Sequence, residues 1–154
     1  MVQFIALDTE TVRHLQAGGA DANGHVPERH ISSGSGTPCR HCLSQVAEGE
    51  TFLVVAHRPF PKAQPYAEQG PIFLCARECA RHECKKQVPE VLESETYIVR
   101  GYDADNRIVY GTGKVVPTHQ LADAASEMFS DEAIAYAHVR SATNNCYQCR
   151  IERD

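Results

Sequence analysis

The alternation of apolar and polar positions along the chain predicts mostly short strands. Residues 2–7 form an opening apolar strand, after which Asp8 or Thr9 caps a helix over residues 10–16 that Gly18-Gly19 ends. Residues 51–57 and 71–76 are runs of β-branched and aromatic side chains. Residues 97–102 and 107–116 make a further pair around Asp103-Ala-Asp-Asn106, a hairpin turn by composition. Residues 133–141 read as a strand. The closing run 147–153 alternates, which predicts Tyr147, Cys149 and Ile151 on one face and Gln148, Arg150 and Glu152 on the other. The clearest helical period lies in residues 118–129, where Thr118 caps and Leu121, Ala122, Ala125, Met128 and Phe129 share one face. The pattern predicts an α+β fold: a mostly antiparallel sheet of six to eight strands with one or two covering helices.

Two stretches break the pattern. Residues 17–37 are rich in Gly, Ser, Asn and Asp, interrupted only by Val26-Pro-Glu-Arg-His-Ile31, and are predicted to form a mobile loop or a covering flap. Pro59, Pro61 and Pro65 enforce an extended, non-helical connection. No repeat and no linker divides the chain, so residues 1–154 are predicted to form a single domain.

Composition narrows the classes of function. A domain of 154 residues buries roughly 68–70% of its unfolded surface, enough for an apolar core. Net charge is −5 and no run of Lys or Arg occurs, so nucleic acid and anionic membranes are excluded as expected partners. No apolar run approaches a transmembrane length, and Asp8 and Glu10 arrive too early for a signal peptide. The expected location is the cytoplasm. Seven cysteines in a reducing compartment, an odd number, point to metal binding, redox chemistry or simple burial rather than a disulfide framework.

Four of those thiols form two close pairs: Cys39 and Cys42 as C-x₂-C, Cys75 and Cys79 as C-x₃-C. The segment between the pairs is a strand, a proline loop and a returning strand, so its ends can meet and offer four sulfurs to a tetrahedral zinc ion. His82 and Cys84 can substitute for Cys79, and His41 lies inside the first pair. The competing readings are buried apolar thiols and a redox pair at Cys39/Cys42, which needs its first cysteine at a helix N-terminus. A second constellation is His138, Arg140 and Cys146 around the last hairpin. There a Cys/His nucleophile with an arginine for an anionic substrate competes with plain packing. A closed four-thiolate site leaves no position for water. The leading expectation is therefore a non-catalytic domain that binds a protein or small molecule.

The order of motifs also carries a resemblance. Pro38-Cys39, Gly49-Glu50, Pro65-Tyr66, Gly70-Pro-Ile-Phe73, Arg100-Gly-Tyr-Asp103, His138-Val-Arg-Ser141 and the ending Cys146-Tyr147 with Arg150-Ile-Glu-Arg153 resemble the bacterial domain-of-unknown-function family number 1203. The resemblance covers nearly all of the chain beyond its first thirty residues. It implies a small, single-domain, cytosolic bacterial protein and no particular activity.

Overall fold

A computed structural model describes residues 1–154. Eight strands and two α-helices follow one another: β1 (Val2–Ile5), α1 (Thr9–Gln16), β2 (Glu28–Ile31), β3 (Thr51–His57), β4 (Gly70–Cys75), β5 (Thr96–Tyr102), β6 (Lys114–Pro117), α2 (Leu121–Met128), β7 (Tyr136–Ser141) and β8 (Tyr147–Arg153). Every pairing between these strands is antiparallel, which gives the α+β class that the pattern predicts. The chain's contacts divide into two compact units: residues 1–5, 60–68 and 84–154 form one, and residues 6–59 and 69–83 the other.

The first unit is a five-stranded sheet in the order β1-β8-β7-β5-β6 with α2. Register places Val99 beside Val139 and Val139 beside Cys149, and Ala137 and Phe4 both beside Ile151. These side chains are buried, as are Leu121, Ala125 and Met128 of α2, which follows a single 3-10 turn at Thr118–Gln120. Gly101 shows how closely the helix approaches. A methyl group there would lie 2.9 Å from the Met128 sulfur and 3.1 Å from Ile134, so a Cβ at this position would require these side chains to shift. On the opposite face Arg100 is beside His138 and His138 beside Arg150, with Tyr102 beside Tyr136. Phe60 joins Tyr102 and Tyr136 in a buried cluster there, so the proline-rich connection of residues 60–68 does more than span a gap.

The last hairpin departs from strict alternation. Val139 pairs with Cys149, but Arg140 pairs with Tyr147, which leaves Gln148 as an extra residue in β8. A bulge of this kind turns every side chain beyond it to the other face. Tyr147 therefore does not share a face with Cys149, as the alternation predicted. It lies against His138, with ring centroids 4.9 Å apart.

The second unit holds α1 and the sheet β2-β3-β4. Asp8 caps α1 as its type predicts, accepting a hydrogen bond from the Thr11 amide at 2.8 Å. Within residues 17–37, Glu28–Ile31 pairs with β3 as an edge strand whose four residues are all exposed. The core of this unit comes from Val12 and Leu15 of α1, Leu53 and Val55 of β3, and Ile72 and Leu74 of β4.

Candidate metal centre

The cysteine cluster is built on a turn and a strand end. Pro38 bridges Gln45 across the turn; the Cys39 amide donates to the Ser44 carbonyl, and the Leu43 amide donates to the Cys39 carbonyl at 3.0 Å. Leu43 takes a φ of 50°, the left-handed conformation that lets so short a segment close on itself. The Arg40 amide donates to the Phe73 carbonyl of β4, which ties the turn to the strand leading into Cys75. Cys75 ends β4 and Cys79 follows in an irregular loop.

Helix α1 fixes that loop. Gln16 donates its side-chain amide to the carbonyls of Cys75 and Arg77, at 2.9 and 2.7 Å. Arg13 donates to the Cys79 carbonyl at 2.9 Å and to the Gln16 side chain at 2.8 Å. The backbone around the second thiol pair is thus held by two helix residues one turn apart.

The four sulfurs of Cys39, Cys42, Cys75 and Cys79 all lie within 4.8 Å of one another. Cys39 is 4.0 Å from Cys79 and Cys42 is 3.9 Å from Cys75. A disulfide needs about 2.05 Å; all four thiols are free. Four sulfurs at roughly 2.3 Å from a tetrahedral zinc stand about 3.8 Å apart along each edge, so these two separations already fit such a centre. The Cys75 amide also points at the Cys39 sulfur, 3.3 Å away, as backbone amides do around coordinated thiolates.

Electrostatics lead to the same chemistry. With no cation present, hydrogen bonds from Cys42 and then Cys75 hold Cys39 far below the ordinary thiol range. The hydrogen bonds to Cys39 in turn push Cys42 and Cys75 up, and burial, followed by the Cys39 charge, pushes Cys79 up to about 12. The cluster thus concentrates one negative charge and resists a second. A divalent ion at its centre removes that conflict, because a coordinated thiol is deprotonated outright.

His41, which spacing noted only as an inner residue of the first pair, has a definite place. It is fully buried, with Nδ1 3.1 Å from the Cys79 sulfur and Nε2 3.0 Å from the Thr9 hydroxyl. Burial holds its pKa below the ordinary value. A neutral ring has one donor and one acceptor nitrogen, so in either tautomer His41 links the Cys79 sulfur to the Thr9 hydroxyl and braces Cys79. The helix residues Arg13 and Gln16, which brace the loop, carry no motif in the sequence. His82 and Cys84 stay outside the four-sulfur group, and Cys84 is exposed. The His82 amide donates to the His41 carbonyl, a backbone role.

The second constellation lies along the last hairpin. His138 and Arg140 are buried on the sheet, and His138 is ringed by Phe60, Tyr102, Tyr136 and Tyr147 at centroid distances of 4.7–5.3 Å. Cys146 sits in the turn before β8, where its sulfur faces the Asn144 carbonyl at 3.7 Å. Cys149 is buried in β8 beside Val139. No helix is long and apolar enough to cross a membrane. The chain matches no curated protein and no solved structure. A family model described as "Protein of unknown function (DUF1203)" matches residues 36–153, a span that takes in both thiol pairs and the last hairpin, and the chain belongs to that family.

Proposed function

We propose that Cys39, Cys42, Cys75 and Cys79 hold one structural zinc ion, and that the protein works in the cytoplasm by binding a protein or small molecule. The observation that carries this reading is the mutual approach of four sulfurs from two distant segments, the first tied to Thr9 and Phe73 and the second to Arg13 and Gln16. Zinc suits the donor set: four soft thiolates complete its tetrahedron and leave no coordination position for water, so the ion stabilises and does not catalyse. A reducing cytoplasm suits thiols that must stay unoxidised to bind. The redox alternative for Cys39/Cys42 finds less support, since the pair lies on a turn and Pro38 enters a β-bridge instead of opening a helix.

Elemental analysis of protein purified without added metal tests the proposal. The expected result is about one zinc per chain, absent from Cys42→Ser and retained in Cys149→Ser. Stable wild-type protein free of metal, or a Cys39–Cys42 disulfide that cycles with a dithiol while the fold persists, removes it.

A further inference from the structure

The sheet face opposite α2 carries a buried positive charge whose donors are only partly used. Arg140 is 4% exposed. Its Nη1 donates to the Asn145 carbonyl at 3.1 Å and lies 3.5 Å from the Glu68 carboxylate, while its Nε and Nη2 are buried with no hydrogen-bond partner. Nε and Nη2 form one edge of the guanidinium, the side-on fork that takes both oxygens of a carboxylate or phosphate in parallel. Burial without partners is costly for any donor and more so for a charged one, so an idle fork at this depth needs a chemical reason.

The surrounding charges supply it. Arg150 is matched by Glu152, 2.5 Å away. Arg100 and Arg140 share the single carboxylate of Glu68, which is 2.9 Å from Arg100 and more distant from Arg140. Arg100 spends its remaining contacts on the Tyr102 hydroxyl, at 3.0 and 2.6 Å. Two guanidinium groups against one carboxylate leave one positive charge unmatched, and the unmatched charge and the idle fork belong to the same side chain.

We infer that Arg140 is the anchor of an oxyanion site, taking a small carboxylate or phosphate on its Nε–Nη2 edge. Arg100 adds long-range attraction, and Glu68 excludes ligands that carry no charge to replace the balance it provides. Both donors of the edge are buried, each with under 1 Å² accessible, so entry of the ion requires a local opening at this end of the sheet. This site is independent of the cysteine cluster and stands or falls without it.

The test uses the full chain with its native metal content, titrated separately with inorganic phosphate and with acetate at constant ionic strength in chloride. The readout is the Arg140 Nε–H resonance together with the thermal midpoint. A saturable movement of that resonance by either anion, weakened roughly ten- to hundred-fold in the thermal response of Arg140→Lys and unchanged in Arg150→Lys, supports the site. The Lys variant keeps the charge and loses the fork. Saturation by phosphate alone identifies a phosphate ligand, and by acetate alone a carboxylate. A wild-type resonance that neither anion moves overturns the inference even if a variant fails to fold. A thermal response that survives intact in Arg140→Lys overturns it as well.

Discussion

The two units solve the problem of burial differently. All of the buried aromatic side chains, Phe4, Phe60, Tyr97, Tyr102, Phe129, Tyr136 and Tyr147, belong to the first unit. Among its buried hydrophobic side chains the second has only aliphatic residues, alanine and cysteine. Large aromatic rings remove 150–250 Å² each from water, so the first unit can rest on apolar burial. The second has a three-stranded sheet with an exposed edge, one two-turn helix and irregular loops, and it carries the four sulfurs. The comparison teaches that the ion is expected where the apolar core is thinnest, as in small domains that substitute ligand bonds for core.

The sharpest way to break this comparison is to remove the proposed zinc. Chelation, or Cys42→Ser, is expected to cost the second unit several kcal/mol, given that structural zinc in small peptides contributes about 10–16 kcal/mol of apparent binding energy. Amide exchange at Val55 and Leu74 should accelerate by orders of magnitude, while Val139 and Ile151 stay protected. Equal acceleration at all four positions would mean that the two units do not differ in what stabilises them. Cys149→Ser, in the aromatic-rich unit, should leave zinc content and exchange at Leu74 unchanged.

Leu121→Ala probes the other side. This fully buried residue begins α2, and truncating it should cost about 2–5 kcal/mol by equilibrium denaturation, whether or not metal is present. A cost that disappears after chelation would contradict the division. Tyr136 offers a finer test within the same unit. Burial, with the Tyr102 and Asp103 charges adding to it and Arg150 opposing, pushes its pKa up to about 12. Above an unfolded value near 10 the unfolded chain loses its phenolic proton first, so stability falls as pH rises from about 10 to 12 and is intact below. The slope should correspond to about 2–3 kcal/mol over that window and be absent in Tyr136→Phe. The smallest effect belongs to the cap of α1. Asp8→Ala should cost about 1 kcal/mol, felt in the unit whose cysteine loop Arg13 and Gln16 hold. If that variant also loosened zinc retention, the helix would be shown to act on the centre and not merely beside it.

What could be read from residues alone follows a physical line. β3 and β5 were legible because their β-branched and aromatic side chains sit on a half-buried pleated surface, and α2 because its apolar face repeats at helical spacing. The meeting of the thiol pairs was legible because each pair is close in sequence and a returning strand closes the distance between them. β2 was not legible as a strand, since all four of its residues face solvent and no alternation marks an edge of this kind. Gln148 was invisible as a bulge because a single extra residue changes register without changing composition, and with it went the true face of Tyr147. The idle fork of Arg140 could not be foreseen either: partners for its donors come from Glu68 and Asn145, residues that sequence distance or turn geometry hides.

The sheet order gives the molecule a timetable. β1 pairs with β8, so apart from a bridge between Phe4 and Lys85 this strand has no neighbour until β8 follows it, and that sheet is a late, non-local closure. The cysteine cluster needs nothing beyond Cys79 and the helix already made before it. During synthesis the four sulfurs can therefore come together while the strands that complete the other unit are still being translated.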